Sequence, residues 1–149
     1  MGSELVRYTI SNATAEITLD FAELTVLGNQ ALLTQCFSNL LDNAIKFVAP
    51  GVKPRIRIWA EPSMIDGQPV AAIYIKDNGI GIGKDAQERI FSMFQRLHGE
   101  GAYPGTGIGL TIVRKAVERM NGQVSVDSDL GKGAQFCVKL PRVENSPAL

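Results

Sequence analysis

Two asparagine side chains, Asn39 and Asn43, are the first residues of this sequence whose spacing is suited to chemistry. They stand four positions apart in a segment with helical periodicity, so both amides project from the same face. An amide oxygen suits a hard cation such as Mg²⁺, which keeps several waters and shares phosphate oxygens with few protein groups. Lys46 and Phe47 follow, where an ammonium group can reach a phosphate and a ring can line a base pocket. An amphipathic helix whose polar face carries two asparagines explains this segment equally well.

A carboxylate, Asp77, ends an apolar stretch and enters the sequence Asp-Asn-Gly-Ile-Gly-Ile. Such a carboxylate can accept a hydrogen bond from the 6-amino group of adenine, whereas guanine has a carbonyl there. Gly79 and Gly81 permit tight turns and the close approach of a ligand. A plain surface turn is the alternative, since Asp, Asn and Gly are common in turns. Ile80 and Ile82 argue against it, because exposed turns seldom carry two large apolar residues.

A glycine-rich segment immediately before a predicted helix is the third feature. Its residues are Gly105, Thr106, Gly107, Ile108, Gly109 and Leu110. Backbone N–H groups at a helix N-terminus bind phosphate through the helix dipole and their unpaired donors. The spacing excludes a Walker loop and a dinucleotide fingerprint, because no Gly-Lys-Ser/Thr follows and no strand leads into it. The loop at 95–107 suits a lid over bound nucleotide. Together the three segments predict one nucleotide pocket assembled from distant parts of the chain.

The elements that must position these segments follow from periodicity and turn residues. A long helix is predicted after Asn29, with apolar residues at three- and four-residue steps from Leu32 to Val48, and a second runs from Leu110 to Met120. The other predicted elements are strands at 15–20, 123–127 and 134–140, a short helix at 86–94 and a turn at 129–133. Strands at 55–59 and 71–76 are predicted to form a hairpin, joined by a polar loop at 61–69. Without β-α-β alternation, this order predicts an α/β (α+β) two-layer sandwich, with one mixed, mostly antiparallel sheet and helices on one face.

The composition of the 149 residues fits a single domain, with a core expected over about 15–141. Fifteen basic and fifteen acidic residues cancel, so net charge favours neither nucleic acid nor an anionic membrane. No apolar run approaches the roughly 20 residues that span a bilayer. We expect no secretion signal, because the first residues lack a basic stretch followed by an apolar core. We therefore expect a cytoplasmic domain without membrane contact. Cys36 and Cys137 are predicted to be buried free thiols, with a disulfide between them as the alternative.

In their order and combination these motifs resemble the ATP-binding catalytic domain of sensor histidine kinases, particularly the phytochrome-like subgroup. That domain belongs to the gyrase, chaperone and histidine kinase ATPase superfamily, and the resemblance implies its Bergerat-type fold. Residues 39–47 resemble the N box, and residues 77–82 and 105–110 the two glycine boxes. Ile90-Phe91-x-x-Phe94 resembles the F box, and 131–133 the closing glycine turn.

The resemblance implies MgATP as cofactor and transfer of the γ-phosphoryl group to a histidine. It implies that Asn43, helped by Asn39, ligates Mg²⁺, that Lys46 contacts phosphate and that Asp77 reads adenine. Arg96 is a candidate for a second phosphate contact, with a solvated lid arginine as the alternative. The other implied nucleotide contacts are Phe47, Gly79, Gly81, Ile82, Gly105, Thr106, Gly107, Gly109 and Leu110.

The residue at position 39 bears on the branch of the superfamily. Gyrase-like and mismatch-repair ATPases carry a Glu there that activates water, and Asn39 cannot act as a base. This favours phosphoryl transfer to a protein acceptor, achieved by positioning and charge stabilisation. Ala134 stands where the family often has Ser or Thr, so any water-mediated hydroxyl contact to the base is lost. Phe91 and Phe94 are interpreted as core residues, with a face that docks acceptor helices as the alternative.

A phosphoacceptor hairpin is not recognised in this sequence, and its single histidine, His98, lies in the predicted lid. We therefore expect a monomeric domain that binds MgATP but does not autophosphorylate. Its expected partners are the histidine-bearing dimerisation hairpin of the same or a second kinase chain and a downstream response regulator. The alternatives are a degenerate kinase-like module that binds ATP or partners without transfer, an anti-sigma-type serine kinase and a pure ATPase.

Overall fold

The computed structural model describes residues 2–10, 13–21, 24–87, 90–91 and 107–143. The elements in chain order are β1 (Gly2–Ile10), β2 (Ala13–Phe21), β3 (Thr25–Val26), α1 (Gln30–Lys46), β4 (Arg55–Ile65), β5 (Gln68–Asp77), α2 (Lys84–Gln87), α3 (Gly107–Arg119), β6 (Gln123–Ser128) and β7 (Ala134–Val143). The two long helices and the strands that contain the predicted ones are therefore present. The strand β1, where the sequence has no clear period, and the two-residue strand β3 were not predicted.

The strands form one mixed sheet in the order β1-β2-β4-β5-β7-β3, with β6 also paired to β7. All pairs are antiparallel except β2 with β4, where Ile17 lies opposite Ile56 in a parallel register. Parallel neighbours need a crossover connection, and the chain between these two strands contains α1. One β-α-β connection is therefore present, which the sequence interpretation had missed.

The helices α1 and α3 cover one face of the sheet, as predicted, and the core lies between the two layers. Alternation along β4 shows the division, since Ile56 is buried whereas Arg55 and Arg57 are exposed. An antiparallel sheet commonly leaves one face to solvent in this way. The fully buried side chains that fill the core include Cys36, Leu40, Ile75, Ile90, Val113, Val117, Val138 and Leu140. The predicted two-layer α/β sandwich is confirmed.

The helix ends follow the local signals of the sequence. Asn29 is the N-cap of α1, and its side-chain oxygen accepts a hydrogen bond of 3.1 Å from the Leu32 N–H. At the end of α3, Asn121 adopts a positive φ of 62°, and the Gly122 N–H donates to the Val117 carbonyl at 2.9 Å. These ends fix where each helix meets the sheet.

Two predicted segments differ in the structure. The stretch 61–69 is not a loop, because β4 and β5 continue to a two-residue turn in which Asp66 and Gly67 have φ of 49° and 77°. Asp-Gly with two positive φ angles is a strong hairpin turn, and the prolines Pro62 and Pro69 concealed it. A helix was predicted at 86–94, but α2 covers Lys84–Gln87 and residues 90–91 form a turn. Residues 88–89 and 92–94 lie outside the described residues.

Both cysteines are free and buried, as predicted. Burial raises the pKa of the Cys36 thiol to about 12, so this side chain is a neutral core residue at physiological pH. Among the residues that the structure describes, no helix combines the length and apolar character needed to cross a membrane.

Candidate functional site

A pocket opens where the C-terminal end of α1, the end of β5 and the first turn of α3 meet above the start of β7. Its lining consists of Asn43, Phe47, Asp77, Gly81, Ile82, Leu110, Ala134 and Phe136. Asn43 and Asp77 are the polar side chains in this set. The pocket therefore offers an apolar slot with two polar groups, a composition typical of ligand sites.

The Asp77 carboxylate is anchored on one side and open on the other. Its Oδ1 accepts hydrogen bonds from the backbone N–H groups of Gly79 at 2.8 Å and Ala134 at 3.1 Å. Within the described residues, no hydrogen bond to Oδ2 is found. Burial raises the pKa of this carboxyl above its ordinary value of 3.8, and the two backbone hydrogen bonds oppose that rise. The side chain is thus a fixed acceptor with one oxygen left for a ligand.

Asn43 contributes a buried amide to the same pocket. Its Nδ2 atom is shielded from solvent and has no hydrogen-bond partner in the described part of the chain. An unpaired buried polar group costs about 1–3 kcal/mol, so folding leaves this amide to be satisfied by something that enters the pocket. Rotation of the amide by 180° exchanges its oxygen and nitrogen in the same volume. The same position can therefore present either a donor or an acceptor.

The glycines of the first glycine box are required by contact between backbones. A Cβ at Gly79 would overlap the Phe47 carbonyl, and one at Gly81 would overlap the Asp129 carbonyl. The sequence interpretation assigned these glycines to turns and to the approach of a ligand. Gly81 lines the pocket, but the steric requirement at both positions comes from neighbouring segments of the protein.

The remaining predicted residues of α1 lie near the pocket without lining it. Asn39 is one turn earlier, and its Nδ2 donates to the Gln35 carbonyl at 2.7 Å, which leaves Oδ1 available. Lys46 is exposed in the last turn of α1. Its ammonium group forms no ion pair within the described ranges.

The second glycine box is described in part. Gly107 and Gly109 form the first turn of α3, so glycines stand at a helix N-terminus as predicted, and Leu110 is buried against the pocket. The other residues assigned to this region, namely Arg96, His98, Gly105 and Thr106, lie outside the described residues, as does Phe94. The interpretation of Phe91 as a core residue is confirmed, because its side chain is buried. Its ring packs edge-on against that of Phe136, with 6.1 Å between the ring centroids.

Sequence reasoning did not select Phe136 as a pocket residue, and it treated Ala134 only as a lost hydroxyl. The available signal was the period-two pattern of β7, which places Ala134 and Phe136 on the same face as the buried Val138 and Leu140. It also missed Gln87 and Ser128, whose hydrogen bonds hold the glycine turns together. Two of those bonds, from the Ile82 N–H to Ser128 and from Gln87 to the Ser128 carbonyl, join residues more than 40 positions apart, so no local pattern reveals them.

The donor set limits which metal the site can hold. Among the described residues no group of three or more His, Cys, Asp or Glu side chains lies close enough to hold a metal ion. A cation that depends on carboxylate or thiolate cages does not match these residues. The amides of Asn43 and Asn39 fit a hard cation that arrives with phosphate oxygens and keeps part of its water. The unpaired amide of Asn43 is consistent with that use.

Comparison with known proteins identifies a family and relatives of this chain. Residues 28–144 match the family described as histidine kinase-, DNA gyrase B- and HSP90-like ATPases. The phytochrome-like protein Cph1 of Synechocystis sp. is 39% identical over 145 residues, which cover 93% of this chain and 19% of that protein. The sensor histidine kinase RppB of the same organism is 35% identical over 125 residues, covering 83% of this chain and 26% of RppB.

Solved structures of histidine kinases also resemble this chain. The mycobacterial sensor histidine kinase MprB superposes with a TM-score of 0.67 at 30% identity, covering 86% of this chain and 80% of that one. Full-length ShkA in complex with AMPPNP superposes with a TM-score of 0.68 at 30% identity, covering 89% of this chain and 26% of that one.

The chain belongs to the histidine kinase-, DNA gyrase B- and HSP90-like ATPase family. Within that family it is homologous to the catalytic domains of phytochrome-like and other sensor histidine kinases, so the resemblance drawn from the sequence motifs is confirmed. The chain spans about a fifth of the phytochrome-like relatives it matches.

Proposed function

We propose that this domain binds MgATP in the pocket at Asp77 and transfers the γ-phosphoryl group to a histidine on a separate helical hairpin. The single observation that carries the proposal is the Asp77 carboxylate, which lines a mostly apolar slot while its Oδ1 is held by two backbone N–H groups. A planar base with an exocyclic amine matches that arrangement. The ATPase family to which the chain belongs supports a nucleotide as the ligand.

Asp77 is the one charged residue among the described residues that line the slot, and adenine recognition would rest on it. Its free oxygen accepts from the 6-amino group, while Phe47, Ile82 and Leu110 enclose the faces of the ring. A base with a carbonyl at position 6 would set two acceptors against each other. Leaving such a pair unsatisfied in a buried site is strongly unfavourable, so the slot selects adenine over guanine.

The triphosphate would extend from the slot towards α1 and the start of α3. Asn43 would supply an amide oxygen to Mg²⁺, with Asn39 one turn away, and the exposed Lys46 would contact a phosphate. The backbone N–H groups at Gly107 and Gly109 would add donors at the positive end of the helix dipole. Arg96, Gly105 and Thr106 remain candidates for further phosphate contacts.

Bound Mg²⁺ would neutralise charge on the phosphate oxygens during transfer. The residues of this chain would bind and orient the nucleotide. Asn43, which lines the pocket, and Asn39, one turn earlier on α1, carry amides that cannot remove a proton from water. The site therefore favours transfer to an acceptor that another protein segment brings in. We propose that this segment is the histidine-bearing dimerisation hairpin of a kinase chain and that the phosphoryl group then passes to a response regulator.

The proposal is tested by supplying the acceptor in trans. The domain is incubated with γ-labelled ATP, Mg²⁺ and the isolated dimerisation hairpin of a sensor histidine kinase relative. We expect acid-labile label on the histidine of that hairpin and strongly reduced label with Asp77→Asn. An exposed carboxylate variant, Asp127→Asn, is the matched control and should label the hairpin normally.

The outcomes separate the competing functions. ATP binding without label on hairpins from several relatives would indicate a module that binds nucleotide without transfer. Release of free phosphate in the absence of any hairpin would indicate a hydrolase. Acid-labile label on His98 of the domain alone would contradict the requirement for a separate acceptor.

A further inference from the structure

Both backbone groups of Ile82, a residue of the pocket wall, are held by side chains from elsewhere in the chain. The Ile82 N–H donates to Ser128 Oγ at 2.8 Å, and the Ile82 carbonyl accepts from Gln87 Nε2 at 2.9 Å. The same Gln87 nitrogen donates to the Ser128 carbonyl at 2.5 Å. Ser128 and Gln87 therefore hold the first glycine box, residues 79–82, at both backbone groups of Ile82.

Ser128 also connects this turn to the Asp77 carboxylate. Its hydroxyl donates to the Gly133 carbonyl at 2.6 Å, and the next residue, Ala134, donates its N–H to Asp77 Oδ1 at 3.1 Å. The backbones of Gly133 and Asp77 are in close contact, because a Cβ at Gly133 would overlap the Asp77 carbonyl. A displacement of Ser128 would therefore move one of the two donors that orient Asp77.

Neither Ser128 nor Gln87 lines the pocket. Ser128 is 5% exposed and lies behind the wall, and Gln87 is the last residue of α2. A hydroxyl that both accepts and donates in a buried position cannot be replaced by solvent when it is removed. Their influence on a ligand must pass through Ile82 and Asp77.

We propose that Ser128 and Gln87 are positioning residues that set the selectivity of the pocket for a 6-amino purine. This rests on the proposed contact between Asp77 and adenine. The Ser128 hydroxyl holds the two glycine turns at a fixed separation, and the Gln87 amide ties that junction to α2. Together they keep the free oxygen of Asp77 directed into the slot.

The test compares ATP with ITP, which has a carbonyl at position 6, and with inorganic tripolyphosphate, which has no base. In Ser128→Ala and Gln87→Met we expect ATP affinity to fall about five- to tenfold, the effect of about one hydrogen bond. The affinities for ITP and tripolyphosphate should stay within about twofold, so the ATP-to-ITP ratio falls. Ser128→Thr retains the hydroxyl and should restore most of the ratio.

Arg142→Met is the matched structural control. Arg142 donates to the Val70 carbonyl at 2.9 Å, so this variant also loses a side-chain-to-backbone hydrogen bond, at a position that does not line the pocket. It should lower thermal stability without changing the ATP-to-ITP ratio. If Ser128→Ala does not fold, Gln87→Met carries the test.

An unchanged ratio in Gln87→Met and in the folded Ser128 variant, with only a lower melting temperature, would overturn the positioning role. That result is distinguishable from failure of the proposed function. In the latter case the wild-type domain itself would bind ATP no better than ITP, and Asp77→Asn would change neither affinity.

Discussion

Replacing Asp77 with asparagine should separate nucleotide affinity from the stability of the domain. The amide has nearly the shape of the carboxylate, and its oxygen can still accept from the N–H groups of Gly79 and Ala134. The other oxygen, Oδ2, is replaced by an NH₂ group, which would confront the 6-amino group of adenine with another donor. The anchoring contacts are therefore retained while the proposed ligand contact is lost.

The expected loss can be estimated from the bond that is removed. A hydrogen bond to a charged group contributes about 1.5–3 kcal/mol, and about 1.4 kcal/mol corresponds to tenfold in affinity. We expect ATP to bind Asp77→Asn about 10- to 150-fold more weakly. ITP should bind this variant more tightly than it binds the wild type, because its 6-carbonyl can accept from the new NH₂ group.

In the absence of nucleotide, the free energy of unfolding of Asp77→Asn should be equal to that of the wild type or higher. Burial raises the pKa of the Asp77 carboxyl, so the ionised group opposes folding at neutral pH, and the neutral amide removes that opposition. Calorimetric titration with ATP and ITP and thermal unfolding of the free domain measure both effects. ATP affinity within about twofold of wild type would refute the adenine contact. A large fall in melting temperature would show that Asp77 acts mainly in the fold.

Three further predictions address protonation, packing and the amide. As the pH is lowered through the raised pKa of Asp77, ATP affinity should fall more steeply in the wild type than in Asp77→Asn. In the free domain, the contribution of this group to stability is complete below its unfolded pKa and is lost as the pH rises through its folded pKa. Gly133→Ala should destabilise the domain by about 3 kcal/mol or more, because φ is 78° and the added Cβ would meet the Asp77 carbonyl. Gly51→Ala, at a φ of 81° in open space, should cost only about 1–2 kcal/mol. Chemical denaturation of the two variants measures the difference. Asn43→Leu should leave the melting temperature unchanged or higher, since it removes an unpaired buried amide, but should abolish the Mg²⁺ dependence of ATP binding measured by titration.

The parts of the fold that local signals determine were predictable from the sequence. Helix α1 follows from its apolar periodicity and the Asn29 cap, and the pairing of β4 with β5 follows from two alternating segments. Asp77 and Asn43 could be selected because a carboxylate at a strand end and an amide on a helix face have recognisable chemistry. These predictions depend on short stretches of chain.

The parts that depend on contact between distant segments were not predictable. That Gly81 is required by the carbonyl of Asp129, and that Ser128 bridges two turns, becomes evident only when the turns are brought together. The parallel pairing of β2 with β4 likewise depends on how the chain crosses over through α1. Periodicity gives the direction in which a side chain points but not the element it meets.

Calorimetric titration of the wild-type domain with ATP, with and without Mg²⁺, tests the central claim most directly. We expect one saturable site per chain, tighter binding when Mg²⁺ is present and no comparable binding of GTP. No saturable binding of adenine nucleotides, or equal affinity for ATP and GTP, would contradict the assignment of this pocket.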